Sequence, residues 1–511
     1  MKLEFKRSSG ILMHVSSLPG RFGIGGMGKE ADRWIDFLDA SGVQYWQILP
    51  LNPTGYGNSP YQGLSAFAGN PLFIDPQKLF ENGLLSREDL SSVPRFPVRK
   101  VDFEKVIRWK SAVLHQSFQR FVNKKDRALK RAYTFFKKNN KEWLQDFALF
   151  MALREAHGLK SWSDWPRPLR FHQVSALNDF YKVNSAQVEY HSFLQFIFAR
   201  QWKDVKEYAN SHGVKIIGDI PIFTGYDCAD VWANPHLFQL DKDRRPKAVA
   251  GVPPDFFSET GQLWGNPLYQ WNIHEKDNFA WWTGRVRETL KTVDVIRLDH
   301  FRGFAGYFSI PAGAKTAENG RWVKGPGSKL FDAMQDALGR LPFIAEDLGV
   351  ITKDVLDLRD RYNFPGMRLF QFAFWDNADH EFLPHNYPDN CVAYTGTHDN
   401  DTTVSWFKHL PAHEQRFCTS YLGGHTRDIS YEMIRTIWRT NAVIAIAPMQ
   451  DFLRLKGWAR MNLPASTEGN WDWHMAPNAL SPKLVRDIRE MNITFNRANP
   501  GKKWLAEEYF A

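Results

Sequence analysis

Eight short apolar runs recur along the chain, and most are followed by a segment with helical periodicity. Several runs are apolar at consecutive positions, which is typical of strands buried on both faces of a parallel sheet. One helical stripe is formed by Ala31, Trp34, Ile35 and Leu38, and Gly42 ends that helix. Eight alternations of strand and helix predict an α/β fold of the (β/α)8, or TIM, barrel type. The predicted strands are residues 11–15, 45–50, 214–218, 294–298, 343–345, 367–372, 391–395 and 442–447.

The chain has 511 residues, whereas a plain barrel needs about 250. The surplus falls in two long gaps, one between the second and third predicted strands and one between the third and fourth. Both gaps follow the carboxyl end of a strand, so the sequence predicts insertion subdomains at about 52–190 and about 220–290 over the catalytic face. We expect residues 1–511 to form a single catalytic domain without a separate C-terminal domain.

Composition excludes several classes of protein. Hydrophobic residues make up 43% of the chain and charged residues 24%, which is ordinary for a globular protein and excludes a disordered one. Three widely spaced cysteines cannot form a disulfide scaffold and indicate a reducing compartment. No apolar run reaches about 18 residues, and residues 1–7 lack the apolar core of a signal peptide. We therefore expect a cytoplasmic protein that contacts no membrane.

The net charge of +9 has a local origin, because residues 120–143 contain nine Lys or Arg and only two Asp or Glu. Such a segment can bind nucleic acid or an anionic surface. No zinc-finger, RNP or KH signature accompanies it, however. We interpret it as the solvated face of a helix in an insertion, and we expect no nucleic-acid partner.

Residues 23–28 fit the pattern G-x-G-x-x-G between a strand and a helix, so a dinucleotide-binding protein has to be considered. That fingerprint needs its first glycine at the strand end and an acid about 20 residues later. Here residues 16–22 intervene, and the second predicted strand ends in Leu-Pro-Leu-Asn. We interpret these glycines as a loop that uses positive φ angles.

Four of the predicted strands are followed by a carboxylate residue: Asp219, Asp299, Glu346 and Asp399. They follow the third, fourth, fifth and seventh strands. Because the carboxyl ends of barrel strands meet at one rim, where this fold places its chemistry, we expect the four side chains to converge there.

Clustered carboxylates can bind a hard cation, move protons or attack an anomeric carbon. No EF-hand spacing and no H-E-x-x-H motif is present, so we predict no metal and no cofactor. Glycoside chemistry needs one carboxylic acid and one carboxylate side by side. Arg297 lies two residues before Asp299 and on the same strand face, where its charge would keep Asp299 ionised. His300 and His398 offer hydrogen bonds to sugar hydroxyl groups.

Around these residues the sequence resembles the amylomaltases, or 4-α-glucanotransferases, of glycoside hydrolase family 77. The resemblance runs from Gly-Ile-Leu-Met-His at residues 10–14 to Gly-Asn-Trp-Asp-Trp at residues 469–473. The specific motifs lie at residues 59–62, 65–71, 251–258, 261–267, 297–300, 345–349 and 396–401.

The resemblance implies a retaining transfer of part of an α-1,4-glucan to the 4-hydroxyl of another glucan or of glucose. Asp299 matches the nucleophile, Glu346 the general acid/base, and Asp399 the third carboxylate, which holds sugar hydroxyls. For a double displacement we expect the carboxyl groups of Asp299 and Glu346 to lie about 5–5.5 Å apart. The positions that match substrate contacts are Tyr61, Asp219, Asp255, Phe256, Phe257, Trp264, Arg297, His300, Asp376, His398 and Asn400.

Two positions depart from the family pattern. Phe256 stands where many relatives have Tyr, which removes one hydroxyl contact, and His474 stands where many have Arg, which puts an outer ion pair in doubt. Two alternative functions stay open at this point. One is an α-amylase-like retaining hydrolase, in which water replaces the sugar acceptor. The other is an inactive glucan-binding scaffold, which would not need all three carboxylates.

Overall fold

A computed structural model describes residues 4–254, 258–464, 466 and 468–500. Twelve strands are present in the described part of the chain, and eight of them form one sheet in the order β10-β11-β12-β1-β2-β3-β6-β9. In chain order the strands are β1 (Ser8–Leu12), β2 (Tyr45–Gln47), β3 (Lys215–Pro221), β4 (Ala248–Val252), β5 (Gln262–Pro267), β6 (Val295–Asp299), β7 (Gly306–Pro311), β8 (Arg321–Lys324), β9 (Phe343–Ala345), β10 (Gly366–Leu369), β11 (Cys391–Tyr394) and β12 (Ile444–Pro448).

The eight-stranded sheet confirms the predicted barrel. All its neighbouring strands pair in parallel, and each of the eight predicted runs overlaps one of its strands. The buried runs were recognisable because a parallel strand is covered on one face by the barrel interior and on the other by helices. The strand bounds differ by a few residues, and β3 extends to Pro221, three residues beyond its predicted end.

The barrel closes between β9 and β10. The main-chain N–H of Ala345 donates to the Pro365 carbonyl at 2.9 Å. The carboxylate of Asp347 then accepts the main-chain N–H of Met367 at 2.6 Å. A Cβ atom on Gly366 would lie 2.3 Å from Oδ2 of Asp347, so only glycine permits this approach. Asp347, which directly follows Glu346, therefore contributes one of the hydrogen bonds between the β9 and β10 segments.

The helices surround the barrel and fill the long connections. The α-helices of the described residues are α1 (Lys29–Ala40), α2 (Pro76–Glu81), α3 (Phe103–Asn123), α4 (Arg127–Asn139), α5 (Lys141–Ala156), α6 (Arg167–Arg170), α7 (Val174–Ser211), α8 (Ala229–Ala233), α9 (Trp271–Lys276), α10 (Ala280–Thr292), α11 (Arg302–Ala305), α12 (Ser328–Leu338), α13 (Lys353–Arg361), α14 (Thr403–His409), α15 (Ala412–Tyr421), α16 (Ile429–Trp438), α17 (Met449–Phe452) and α18 (Pro482–Thr494). Within this part of the chain, no helix is both long enough and apolar enough to cross a membrane.

Helix α1 shows how the apolar stripe sets local structure. Its stripe residues are buried, and the chain leaves the helix through Gly42, whose φ is 73°. This left-handed conformation is accessible to glycine without steric cost. Thr352 is the N-cap residue of α13, but its side chain makes no capping bond to the helix. Its hydroxyl donates instead to Asp354 at 2.5 Å.

Helices α2 to α7 lie between β2 and β3, and α8 to α10 lie between β3 and β6. The basic segment at residues 120–143 is helical as predicted, since it contains α4 and the ends of α3 and α5. The limits of the insertion subdomains and the single-domain organisation stay predictions.

A second sheet was not predicted. It is antiparallel, has the order β5-β4-β7-β8, and joins the connection after β3 to the connection after β6. The fourth barrel strand therefore carries an insertion as well. Its strands escaped prediction because β4 is built from Ala, Val and Gly, and three of the four residues of β8 are exposed. Neither strand shows a buried branched run or a clean alternation.

The glycine-rich segment at residues 23–28 is a structural loop, but the reason differs from the expected one. Only Gly23 has a positive φ, at 81°. A Cβ atom on Gly25 would lie 1.9 Å from the Val15 carbonyl oxygen, and one on Gly28 would lie 2.2 Å from the Asp75 carboxylate. These glycines permit close packing against the protein itself rather than against a pyrophosphate.

Candidate active site

The four predicted carboxylates lie at the carboxyl ends of their strands. Asp219 lies within β3, Asp299 is the last residue of β6, Glu346 directly follows β9, and Asp399 follows β11 in the connection to α14. The register of β3 and β6 pairs Asp219 with Arg297. This register places a cation and three carboxylates on one rim of the barrel.

Arg297 is the centre of the cluster. Its Nη1 donates to Oδ2 of Asp219 at 2.7 Å and to Oδ1 of Asp299 at 2.9 Å. Its Nη2 lies 3.9 Å from Oε2 of Glu346. Only 5% of its side chain is exposed. Burial alone would lower the pKa of Arg297, but the carboxylates of Asp219 and Asp299 raise it, so the guanidinium group stays charged. Asp299 and Glu346 thus face one buried positive charge.

Glu346 has the properties of a proton donor. Its carboxyl group is 13% exposed and accepts the main-chain N–H of His300. Burial raises the pKa of Glu346 well above its usual range, and the negative charges of Asp299 and Asp347 add to that effect, whereas Arg297 opposes it. This direction is the one that a general acid requires, because the group must carry its proton at the working pH.

His300 takes a left-handed conformation, with φ of 52°. Such a backbone costs of order 1–3 kcal/mol for a residue other than glycine and persists where the surroundings enforce it. Here it accompanies the contact between the His300 amide and Glu346. The ring packs edge-on against Trp264, with centroids 4.8 Å apart. Burial lowers the pKa of His300 to about 3, so the imidazole is neutral, and its Nε2 has no partner within the described residues.

Asp399 is hydrogen-bonded to residues of the segment that follows β12. Its Oδ1 accepts a hydrogen bond from Nδ2 of Asn462 at 2.6 Å, and its carbonyl accepts one from Arg460 at 2.5 Å. Nε2 of His398 lies 3.4 Å from the same carboxylate. Burial lowers the pKa of His398, although Asp399 opposes this. Sequence reasoning did not find Asn462 and Arg460, because no strand end or periodic pattern marks them.

Tyr61 joins an insertion to the barrel rim. Its hydroxyl donates to Oδ2 of Asp219 at 2.8 Å, and its ring stacks on His398 with centroids 5.0 Å apart and an interplanar angle of 11°. Trp471 packs beside both rings and is a third residue that sequence reasoning did not place in the site. Burial raises the pKa of Asp219 to about 7, against the opposing effect of Arg297.

The remaining predicted contacts are Asn400, Asp376 and residues 255–257. The side chain of Asn400 accepts hydrogen bonds from the amide and hydroxyl of Thr397, at 2.9 and 3.0 Å, so its oxygen stabilises its own loop. Asp376 is exposed, and no hydrogen bond or ion pair among the described residues joins it to the cluster. Asp255, Phe256 and Phe257 lie outside the described residues.

His474, the second departure from the family pattern, is buried. Its Nδ1 is 3.0 Å from the Val98 carbonyl, and burial lowers its pKa. Across residues 4–254, 258–464, 466 and 468–500, no group of three or more His, Cys, Asp or Glu is arranged to hold a metal ion. The carboxyl groups of the rim cluster are suited to acid–base and nucleophilic chemistry.

Comparisons with known proteins find similar sequences and a similar solved structure. The model of glycoside hydrolase family 77, described as 4-alpha-glucanotransferase, matches residues 13–480. The 4-alpha-glucanotransferase of Synechocystis is 47% identical over 496 residues, covering 96% of this chain and 98% of that protein. That of Thermus thermophilus is 46% identical over 497 residues, covering 96% and 99%. Among solved structures, the amylomaltase from Streptococcus agalactiae in complex with acarbose has a TM-score of 0.94 at 38% identity, covering 97% of this chain and all of that one.

Proposed function

The chain belongs to the 4-α-glucanotransferases of glycoside hydrolase family 77, and we propose that it transfers glucan segments by a retaining double displacement on Asp299. The observation that carries this mechanism is the position of Arg297, which contacts Asp299 at 2.9 Å and lies 3.9 Å from Glu346. One cation thus faces both carboxyl groups that the mechanism requires. Their separation of about 5–5.5 Å stays a prediction.

In the first step, Glu346 donates its proton to the glycosidic oxygen while the carboxylate of Asp299 attacks the anomeric carbon. The bond between that carbon and the glycosidic oxygen breaks, an ester to Asp299 forms, and the shortened glucan leaves. The raised pKa of Glu346 supports this assignment, because a general acid must carry its proton at the working pH. The guanidinium group of Arg297 lies 2.9 Å from the attacking carboxylate of Asp299.

In the second step, the ionised Glu346 takes a proton from the 4-hydroxyl of an acceptor. That oxygen attacks the anomeric carbon and Asp299 departs, so two inversions give net retention. Asp399, oriented by Asn462 and His398, is placed to hold sugar hydroxyl groups in both steps. The stacked Tyr61 and the edge-on pair of Trp264 and His300 supply apolar surface beside these polar groups.

The donors that we propose are α-1,4-glucans, and the acceptors are a second glucan or glucose. The similar Streptococcus agalactiae amylomaltase was solved with acarbose, which supports a saccharide in the corresponding cleft of this chain. The roles of Asp219, Asp255, Phe256, Phe257, Asp376 and Asn400 in substrate binding, and a cytoplasmic location, stay predictions.

The test is incubation with maltotriose and separation of the products by length. Transfer to a sugar yields glucose together with a ladder of longer maltooligosaccharides, while the number of reducing ends stays nearly constant. A steady increase in reducing ends without longer products would instead show that water is the acceptor and would favour the hydrolase. The Asp299→Asn variant, run in parallel, controls for contaminating activity.

A further inference from the structure

A cavity of about 130 Å³ lies away from the catalytic rim, between helices of the two long insertions. We call it the α5–α10 cavity, since these two helices form its longest walls, with further residues from α8 and from the loop around Phe67. Its volume is far larger than the ~10–15 Å³ that one water needs. None of the residues assigned above to the catalytic cluster lines it.

Aromatic rings form one wall of the α5–α10 cavity. Phe67 lies nearly parallel to Trp143, with an interplanar angle of 12° and centroids 6.3 Å apart. Trp281 stands edge-on to Phe67, with centroids 5.8 Å apart. All three side chains are only partly buried. Both indole Nε1 atoms are buried, and neither has a hydrogen-bond partner among the described residues.

The polar groups of the cavity include carboxylates, one guanidinium group and amides. Three of its carboxylates are already engaged: Asp230 accepts the Ala66 N–H at 2.8 Å, Asp146 lies 3.0 Å from His172, and Glu288 binds Lys291. Glu142 and Arg287 are the other charged residues of the lining. The cavity lining also includes Asn139, Asn140 and Asn234, whose amides can both donate and accept hydrogen bonds.

Gly284 keeps the cavity open from the α10 side. It lies inside α10 and lines the cavity, and a Cβ atom there would have no neighbour within 4 Å. Because a Cβ atom at this position meets no neighbour, local packing does not require a glycine there. Glycine also makes the helix less stable than alanine would, by about 1 kcal/mol. The position provides a site at which the cavity can be filled without disturbing its walls.

We propose that the α5–α10 cavity binds a glucose unit of an α-1,4-glucan, separately from the catalytic site. Flat apolar rings beside amide and carboxylate groups suit the two kinds of surface that a pyranose presents, its C–H faces and its hydroxyl groups. The saccharide class rests on the cavity itself, whereas the choice of an α-1,4-glucan rests on the proposed function. A glucan held there would be tethered to the enzyme and would raise the local concentration of chain ends near the cleft.

The experiment follows the indole N–H signals of ¹⁵N-tryptophan-labelled protein during titration with maltotriose. The Glu346→Gln background prevents conversion of the ligand, and Trp143→Phe and Trp281→Phe assign the two cavity signals. We expect both signals to shift saturably in this background and in its Gly284→Ala version. In the Gly284→Phe version, where the ring fills the cavity, we expect binding at these signals to weaken at least about tenfold.

The indoles of Trp264 and Trp471, assigned in the same way, report separately on the catalytic site and should respond in all versions. If they respond while Trp143 and Trp281 do not, the second site is wrong and the proposed function stands. Equal responses of Trp143 and Trp281 in the Gly284→Ala and Gly284→Phe versions would also overturn the second site. If only Trp264 and Trp471 fail to respond, the proposed function fails instead. Gly284→Met replaces Gly284→Phe if thermal unfolding shows that the latter does not fold.

Discussion

Replacing Arg297 by Met removes the positive charge that contacts Asp219 and Asp299 and faces Glu346. The side chain of Asp219 is fully buried and that of Arg297 is 5% exposed. Removing one partner of such a buried pair leaves an uncompensated charge and costs about 3–5 kcal/mol. The contact with Asp299, which is 27% exposed, adds about 1 kcal/mol or less. We therefore expect Arg297→Met to unfold about 3–5 kcal/mol more easily near pH 8 and to lose most of its transfer activity.

The pH dependence of this loss identifies its cause. Burial raises the pKa of Asp219 to about 7 from its ordinary value of 3.8, so the folded state holds a proton that the unfolded chain has released. Stability therefore falls as the pH rises through that window. Without Arg297 the pKa of Asp219 rises further, so the deficit of Arg297→Met should be largest above pH 7 and should shrink toward pH 4.

The assay is urea unfolding at about pH 8 and about pH 5.5, followed by tryptophan fluorescence. The matched control is Arg297→Met combined with Asp219→Asn, in which no uncompensated carboxylate remains at the fully buried position 219. We expect this double variant to regain about 2 kcal/mol relative to Arg297→Met near pH 8. Additive losses in the double variant, or a deficit that does not depend on pH, would refute the argument that charge burial at Asp219 is the cause.

Three further predictions concern the catalytic groups. Asp299→Asn and Glu346→Gln should each reduce turnover by several orders of magnitude, since general acid–base catalysis alone contributes about 10²–10⁴-fold, and near-normal rates with maltotriose would contradict these roles. Asp347→Asn removes a negative charge that raises the pKa of Glu346, so the alkaline limb of the kcat/KM profile should move to lower pH, and an unmoved limb would exclude this coupling. Asn462→Ala removes the 2.6 Å hydrogen bond to Asp399, worth about 1.5–3 kcal/mol for a charged acceptor. It should therefore reduce kcat/KM about 10- to 150-fold with unfolding unchanged, and a normal kcat/KM would mean that the bond does not orient Asp399.

The barrel and the three carboxylates around Arg297, which are Asp219, Asp299 and Glu346, were predictable for the same reason. Strands of a parallel barrel are buried on both faces, so they leave continuous apolar runs in the sequence. Because their carboxyl ends meet at one rim, a carboxylate after each run predicts a cluster without any knowledge of side-chain geometry. Asp299 and Glu346 follow from this rule alone.

The parts that were not predictable depend on contacts between distant segments. Asn462 and Arg460 reach Asp399 from a loop that no periodic pattern marks. Asp347 helps to close the barrel by accepting the Met367 amide, and this role is visible only once β9 and β10 are neighbours. The antiparallel sheet was not predicted because its strands are short and partly exposed. Neither a buried apolar run nor a polar–apolar alternation therefore distinguishes them from loops in the sequence.

The central claim, a covalent ester on Asp299, is tested most directly by trapping it. In the Glu346→Gln variant an α-maltosyl fluoride donor needs no acid to expel fluoride, so the first step proceeds, whereas the second step lacks its base. Rapid quenching, proteolysis and mass spectrometry should then find maltosyl attached to the peptide that carries Asp299. The same treatment of Glu346→Gln combined with Asp299→Asn should give no such peptide. Fluoride release with unmodified Asp299, or an adduct on another carboxylate, would contradict the double displacement proposed for this enzyme.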